Sequence, residues 1–120
     1  MKRDDDKIFI EALKEIVCED VNFQGWALLR GLEKRGLDYE EFWEWFRGQP
    51  PGSEGRKWKF LESYKYWSLR TASEMAGTSL YYVRKWRKDP EFLKYYLLIQ
   101  EANRHMRGDP SPFVPIIRYF

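Results

Sequence analysis

Residues 68–92 constrain the fold more than any other stretch, because they place helix-start signals on both sides of a single glycine. Ser68 can cap a first short helix, and Thr71 is a second candidate start one turn later. Gly77 supplies the left-handed backbone that ends a helix at low cost. Ser79 can then cap a second helix, so the stretch predicts two short helices joined by a tight turn.

The two predicted helices have distinct faces. The first has a small apolar side that would let another helix cross closely, formed by Ala72, Met75 and Ala76. In the second, Val83 and Trp86 face inward, while the outward or flanking side chains are Tyr81, Arg84, Lys85 and Lys88. A glycine turn between a small-residue helix and a basic helix is the pattern of a helix-turn-helix, whose second helix enters the DNA major groove.

The same stretch resembles the small terminase subunits of tailed phages and related phage helix-turn-helix proteins. The shared residues are Thr71-Ala72, Ala76-Gly77, Ser79, Val83, Trp86 and Asp89-Pro90-Glu91-Phe92, with Phe60-Leu61-Glu62 leading in. The resemblance covers roughly residues 57–105. It departs at Thr78, where valine is usual, and in lying in the second half of the chain. It implies a homo-oligomer that recognises the viral genome and presents it to a terminase large subunit.

Positive charge is concentrated on this motif. Residues 1–47 hold eight Lys/Arg and twelve Asp/Glu, a net charge of −4, whereas residues 48–120 hold thirteen and seven, a net charge of +6. Residues 56–88 alone carry nine against two, or +7. This is the electrostatic footprint expected of a nucleic-acid binder, and a merely solvated charged face is the alternative.

We therefore predict a non-enzymatic helix-turn-helix protein that binds double-stranded DNA without a cofactor. Base edges would be contacted by Tyr81, Arg84 and Lys85, and phosphates by Ser79 and Lys88. Tyr82 could do either, or could pack. Sequence-independent attraction would come from Arg70, Lys57, Lys59 and Arg87. Because one such unit covers little DNA, we expect a homo-oligomer.

Two other functions remain open. A small phage or mobile-element transcription regulator, expected as a dimer, would use the same helix. A protein–protein interaction module would instead use the aromatic N-terminal half and the C-terminal tail, with the helix-turn-helix serving only for packing. The mass in solution discriminates among a ring, a dimer and a monomer.

The chain lacks strand-like alternation, which predicts an all-α fold of six or seven helices. We divide it into an acidic, aromatic helical part (1–47), a Pro/Gly linker (48–55), the helix-turn-helix part (56–107) and an extended C-terminal tail (108–120). In the third part, residues 56–67 should form the leading helix, with Trp58, Leu61 and Tyr64 facing inward and Trp67 as a further candidate. Arg56 and Lys65 would be available to phosphates alongside Lys57 and Lys59. Three prolines among apolar residues exclude a regular helix in the tail. The tail would either pack on its own domain or dock on a neighbouring subunit or partner protein.

The first part contains three predicted helices. The first starts at an aspartate run and has an apolar stripe ending at Val17, the second spans 23–34 and is followed by Gly36, and Asp38 caps the third. Trp45 lies off the apolar stripe of the third helix and is either an exposed anchor or a second packing contact. Residues 36–47 also align without gaps on 77–88. They are either a degenerate copy of the motif, with acidic residues in place of the basic ones, or a chance match between short helical patterns.

Other chemistry is not suggested by the sequence. Cys18 is expected to be a small buried residue, and no disulfide framework is present, which is typical of an intracellular protein. His105 has no Cys or His partner at zinc-site spacing, and the aspartate run is a solvated helix start rather than a metal site. No apolar run approaches the ~20 residues of a membrane span, so we expect a cytoplasmic location.

Overall fold

The computed structural model describes residues 5–19 and 27–106, and this part of the chain is all α-helical, without strands. Its seven helices are α1 (Asp5–Glu19), α2 (Ala27–Lys34), α3 (Tyr39–Arg47), α4 (Glu54–Tyr64), α5 (Leu69–Met75), α6 (Leu80–Trp86) and α7 (Pro90–Met106). The predicted fold class is thereby confirmed for the described residues. The predicted tail and the expected start of the second helix lie outside them.

Helix α4 lies at the centre, since it packs on α1, α5 and α7. Ser53 caps it by accepting a hydrogen bond from the Arg56 amide at 3.3 Å, so the helix starts two residues earlier than predicted. Trp58 and Leu61 are fully buried on it, as expected. Trp67 was a further candidate for the inward face, but it is exposed, because α4 ends at Tyr64.

Helix α1 supplies the other half of the core. Its predicted apolar stripe is buried, including Phe9 and Ile16. Gly31 lets α2 approach closely, because a Cβ there would lie 2.5 Å from Cγ1 of Ile16. Trp45 packs with its ring centroid 5.1 Å from that of Phe9, and its indole N–H donates to the Asp6 carboxylate. The packing interpretation of Trp45 is therefore confirmed.

Two predicted inward positions are wrong. Cys18 is exposed, because the buried stripe of α1 ends at Val17 and the next residue turns away from α4. The Cys18 thiol, chiefly through a side-chain hydrogen bond, raises the pKa of Tyr95 on α7. Met75 is 50% exposed, because the side of α5 that faces the core is formed by smaller residues, among them Ala72 and Ala76.

The turn between α2 and α3 has the same hydrogen bonds as the turn between α5 and α6. Gly36 and Gly77 have φ angles of 72° and 66°. The residue after each glycine donates its amide to the carbonyl of Leu32 or Ser73, and both bonds are 2.9 Å long. These are the helix-ending bonds of a Schellman turn, and they fall at aligned positions. The two segments thus share a local fold, as the proposed alignment of 36–47 on 77–88 predicts.

Candidate nucleic-acid interface

The start of the helix-turn-helix is set by local hydrogen bonds. Ser68 accepts from the Thr71 amide at 3.2 Å, so α5 begins at the earlier of the two candidate positions. After Gly77, the Thr78 hydroxyl donates to the Pro51 carbonyl at 2.7 Å. That bond ties the turn to the Pro/Gly segment and gives a reason for the Thr78 hydroxyl in this chain.

Arg56 holds three segments together beneath the turn. Its guanidinium donates to the carbonyls of Gln49 at 3.0 Å, Ala76 at 3.2 Å and Arg47 at 3.4 Å. It also lies 4.2 Å from the centroid of the Phe46 ring. Burial lowers the pKa of Arg56 from its ordinary value. The expectation that this cation is available to phosphates was wrong, since its donors are used inside the protein, and nothing in its local sequence signals that role.

The inward side of α6 fixes the helix to the core. Val83 is buried, as predicted. The Trp86 ring lies 5.8 Å from Phe92 of α7, which in turn stacks at 6.0 Å on Phe60 of α4. This chain of aromatic contacts positions α6 rigidly, so its outward side chains project from a defined backbone.

The outward side of α6 carries the predicted cations. Tyr81 is 55% exposed, and Arg84, Lys85 and Lys88 are exposed as well. The Lys85 ammonium donates to the Tyr81 hydroxyl at 3.3 Å and lies 5.1 Å from its ring centroid. Tyrosine and lysine thus form one preordered surface of hydrogen-bonding groups.

Ser79 and Tyr82 occupy the edges of this surface. Ser79 is at the N-cap position of α6, as predicted, but its exposed side chain makes no capping hydrogen bond. Tyr82 is half-buried against the Pro/Gly segment, where a Cβ on Gly52 would lie 2.6 Å from its ring. Its ring also lies 6.1 Å from Trp86. Of the three roles left open for Tyr82, packing is the one observed.

Lys57 and Lys59 were predicted to face phosphates, and this expectation of exposure was wrong. Lys57 is only 7% exposed, with its ammonium 2.9 Å from Glu54 and 3.0 Å from Asp89. Burial alone would lower the pKa of Lys57, but these hydrogen bonds outweigh it and raise the pKa.

Lys59 is 5% exposed and pairs with the equally buried Glu62 at 2.8 Å, while also donating to the Ser63 hydroxyl at 2.7 Å. The sequence signal for this pair was the presence of Glu62 and Ser63 three and four residues after Lys59, within an aromatic helix.

Lys65, the residue that follows α4, is also buried, and its ammonium donates to the Ile16 carbonyl at 3.0 Å. The basic residues of 56–88 that stay exposed are Arg70, Arg84, Lys85, Arg87 and Lys88. The Arg87 guanidinium lies 5.1 Å from the Tyr96 ring centroid. The accessible positive charge is therefore concentrated on and around α6, rather than spread over the whole motif.

Helix α3 carries a net negative charge, whereas α6 carries a net positive charge. Glu40 and Glu44 are exposed at the aligned positions, where α6 has Tyr81 and Lys85. Asp38 caps α3 by accepting from the Glu41 amide at 2.9 Å, as predicted. The same turn thus carries one acidic and one basic second helix, and only α6 has a charge suited to phosphates.

Within the described residues, no group of three or more His, Cys, Asp or Glu side chains is arranged to hold a metal ion. In the same residues, none of the helices combines the length and apolar character required to cross a membrane. Comparison of the chain with protein-family models, curated proteins and solved structures finds no match.

Proposed function

We propose that this protein binds double-stranded DNA by inserting α6 into the major groove. The observation that carries this proposal is the outward face of α6, where Tyr81, Arg84 and Lys85 are exposed on a helix whose inner side is fixed to the core. Arginine and lysine donate to the guanine O6 and N7 acceptors that line the major groove. Arg84 and Lys85 are the residues that we assign to base edges, with Tyr81 beside them.

Phosphate contacts surround this face. Lys88 and Ser79 lie at the two ends of α6, and Arg70 and Arg87 are exposed nearby in the motif. These side chains supply attraction that is independent of DNA sequence and weakens with salt. Lys57 and Lys59 take no part, because their ammonium groups are paired with carboxylates inside the protein.

For the biological role, we propose recognition of a viral genome for packaging, as a homo-oligomer that acts with a terminase large subunit. The support is the motif resemblance, together with the left-handed turn at Gly77 and the cap of α7 by Asp89, both of which are among the shared residues. A small transcription regulator uses the same DNA contact, and a ring of many subunits as opposed to a dimer separates the two roles.

The DNA proposal is tested by fluorescence anisotropy with labelled duplex DNA at several salt concentrations. Arg84→Ala/Lys85→Ala should lose about 1–3 kcal/mol for each base-contacting residue. The matched control is Arg30→Ala/Arg47→Ala, which removes two exposed cations from α2 and α3. We expect the control to bind almost as wild type does.

A further variant separates phosphate from base contacts. Lys88→Ala should weaken binding to all duplexes alike and reduce the salt slope by about 1. Feeble binding by wild type, or equal losses in the α6 variant and the α2/α3 control, would rule out groove reading by α6.

A further inference from the structure

Helix α7 has one exposed side that still carries two large apolar side chains. Phe92, Tyr96 and Ile99 are buried on the opposite side. Leu97 and Leu98 are 48% and 45% exposed. Exposure of large apolar side chains to water is unfavourable, so adjacent exposed leucines in the middle of a helix indicate a contact surface.

Charged residues flank the two leucines in a defined order. Glu91 and Lys94 precede them, and Glu101 and Arg104 follow; all four are exposed. Within the chain, Glu101 and Arg104 form an ion pair at 3.4 Å, and the Lys94 ammonium lies 5.4 Å from the Tyr95 ring centroid. Counted from its N-terminal end, the face therefore carries a negative charge, a positive charge, two leucines, a negative charge and a positive charge.

This order is complementary to itself when a second copy of the helix runs antiparallel. With the two-fold axis between Leu97 and Leu98, Lys94 lies level with Glu101 of the second copy. Farther out, Glu91 lies level with Arg104 of the second copy, but these side chains point about 140° apart around the helix, so the inner pair carries the complementarity. The leucines of both copies meet at the axis. A parallel pair in register would instead bring like charges together at every level.

The helix period allows these groups to share one face. Lys94 and Glu101 are separated by about two turns of helix and therefore point in nearly the same direction. Leu97 and Leu98 lie on either side of the line that joins them. An antiparallel partner thus meets the two charged positions directly and covers the leucines between them.

We propose that this α7 face, formed by Glu91, Lys94, Leu97, Leu98, Glu101 and Arg104, binds a second copy of the chain in antiparallel orientation. The inference goes beyond the DNA-binding proposal and does not rest on it. The pairing is isologous and closes at two copies, so α7 alone gives the dimer of the regulator role, and a packaging ring needs a second contact elsewhere on the chain. One helix face is a small interface, so the dimer is weak and concentration-dependent. The C-terminal tail is the competing occupant of the face, and the experiment decides between the two.

The test is sedimentation equilibrium of the full chain over a wide concentration range, at low and high salt. Wild type should show a monomer–dimer equilibrium that weakens with salt. Leu97→Glu/Leu98→Glu should remain monomeric while keeping the wild-type circular dichroism spectrum, because both side chains are exposed.

A charge exchange supplies the matched control. Lys94→Glu and Glu101→Lys should each weaken the dimer about tenfold, since each turns two attractive contacts per dimer into repulsive ones. The combined variant Lys94→Glu/Glu101→Lys should recover most of the affinity. Lys94→Glu loses the contact to Tyr95 and Glu101→Lys loses the ion pair with Arg104. The combined variant loses both, so its recovery can come only from the pairing between copies.

Wild type that stays monomeric at every concentration overturns the proposal, and is the result expected if the tail covers this face. A dimer that the leucine substitutions leave intact, or that the combined charge exchange fails to restore, also overturns it.

Discussion

Gly77 offers the sharpest test of how the turn before α6 is held. Its φ of 66° lies in the left-handed region that side chains other than glycine rarely adopt. A Cβ at this position would also overlap the Arg56 guanidinium. Gly36, in the equivalent turn before α3, has a φ of 72°, yet a Cβ there would meet nothing within 4 Å. A comparison of alanine substitutions at the two glycines therefore separates the cost of backbone strain from the cost of displacing Arg56.

The expected losses follow from these two terms. Gly36→Ala has only the left-handed backbone to accommodate, which costs about 1 kcal/mol of unfolding free energy. Gly77→Ala has the same strain and must also move Arg56. Since Nη1 of Arg56 is the atom nearest to that Cβ, moving it breaks its hydrogen bond to the Ala76 carbonyl, which is worth about 1.5–3 kcal/mol for a charged donor. We expect a total loss of about 3 kcal/mol for Gly77→Ala.

Urea unfolding followed by tryptophan fluorescence measures both losses. In an Arg56→Ala background the obstacle is gone, so Gly77→Ala should then cost about as much as Gly36→Ala, about 1 kcal/mol. Equal losses from the two glycine substitutions in the wild-type background would refute the reasoning, because they would show that Arg56 moves aside freely.

Three further predictions concern buried charge, pH and the exposed thiol. Lys59→Met should cost about 3–5 kcal/mol by leaving Glu62 buried without its partner, and adding Glu62→Leu should recover most of that loss in urea unfolding. The hydrogen bond from Lys57, foremost among its causes, lowers the pKa of Asp89. The stabilisation from Asp89 is therefore present above the ordinary aspartate pKa and is lost as the pH falls through the lowered value. When the free energy of unfolding is measured against pH, it should fall less steeply toward acid in Asp89→Asn than in wild type. Cys18 should react with a thiol reagent in the native protein without denaturant. A modification rate as slow as the rate of unfolding would contradict its exposure.

Turns and caps could be predicted from the sequence because their causes are local. Asp38 and Ser68 bind amides three residues later, and Gly36 and Gly77 end helices through their own backbone conformations. Each signal involves residues within one turn of helix, so no knowledge of the surrounding fold was needed. The inward position of Val83 and the outward position of Arg84 then followed from the helix period.

Burial of the basic residues could not be predicted in the same way. Because lysine is rarely buried, the sequence predicts that Lys57 and Lys59 lie on a solvated or phosphate-binding face. Their helix is covered by α1, α5 and α7, and this arrangement depends on contacts between distant parts of the chain. The acceptor for Lys65 is the Ile16 carbonyl, far away in sequence. Arg56 likewise bonds to carbonyls of two other segments, those of Arg47 and Gln49 before its helix and that of Ala76 after it. Charge counted along the chain therefore overestimates the basic surface.

The two equivalent turns separate fold from function within one molecule. Both end a helix at a left-handed glycine and start another whose inner side packs on the core, yet α3 exposes Glu40 and Glu44 where α6 exposes Tyr81 and Lys85. Since the two turns are alike, we attribute the expected difference in DNA affinity between the two helices to their exposed side chains. Glu40→Gln/Glu44→Gln should raise the affinity for every duplex slightly, by reducing long-range repulsion, without changing sequence preference. A changed preference would mean that α3 also lies against DNA bases, and the assignment of base contacts to α6 alone would have to be abandoned.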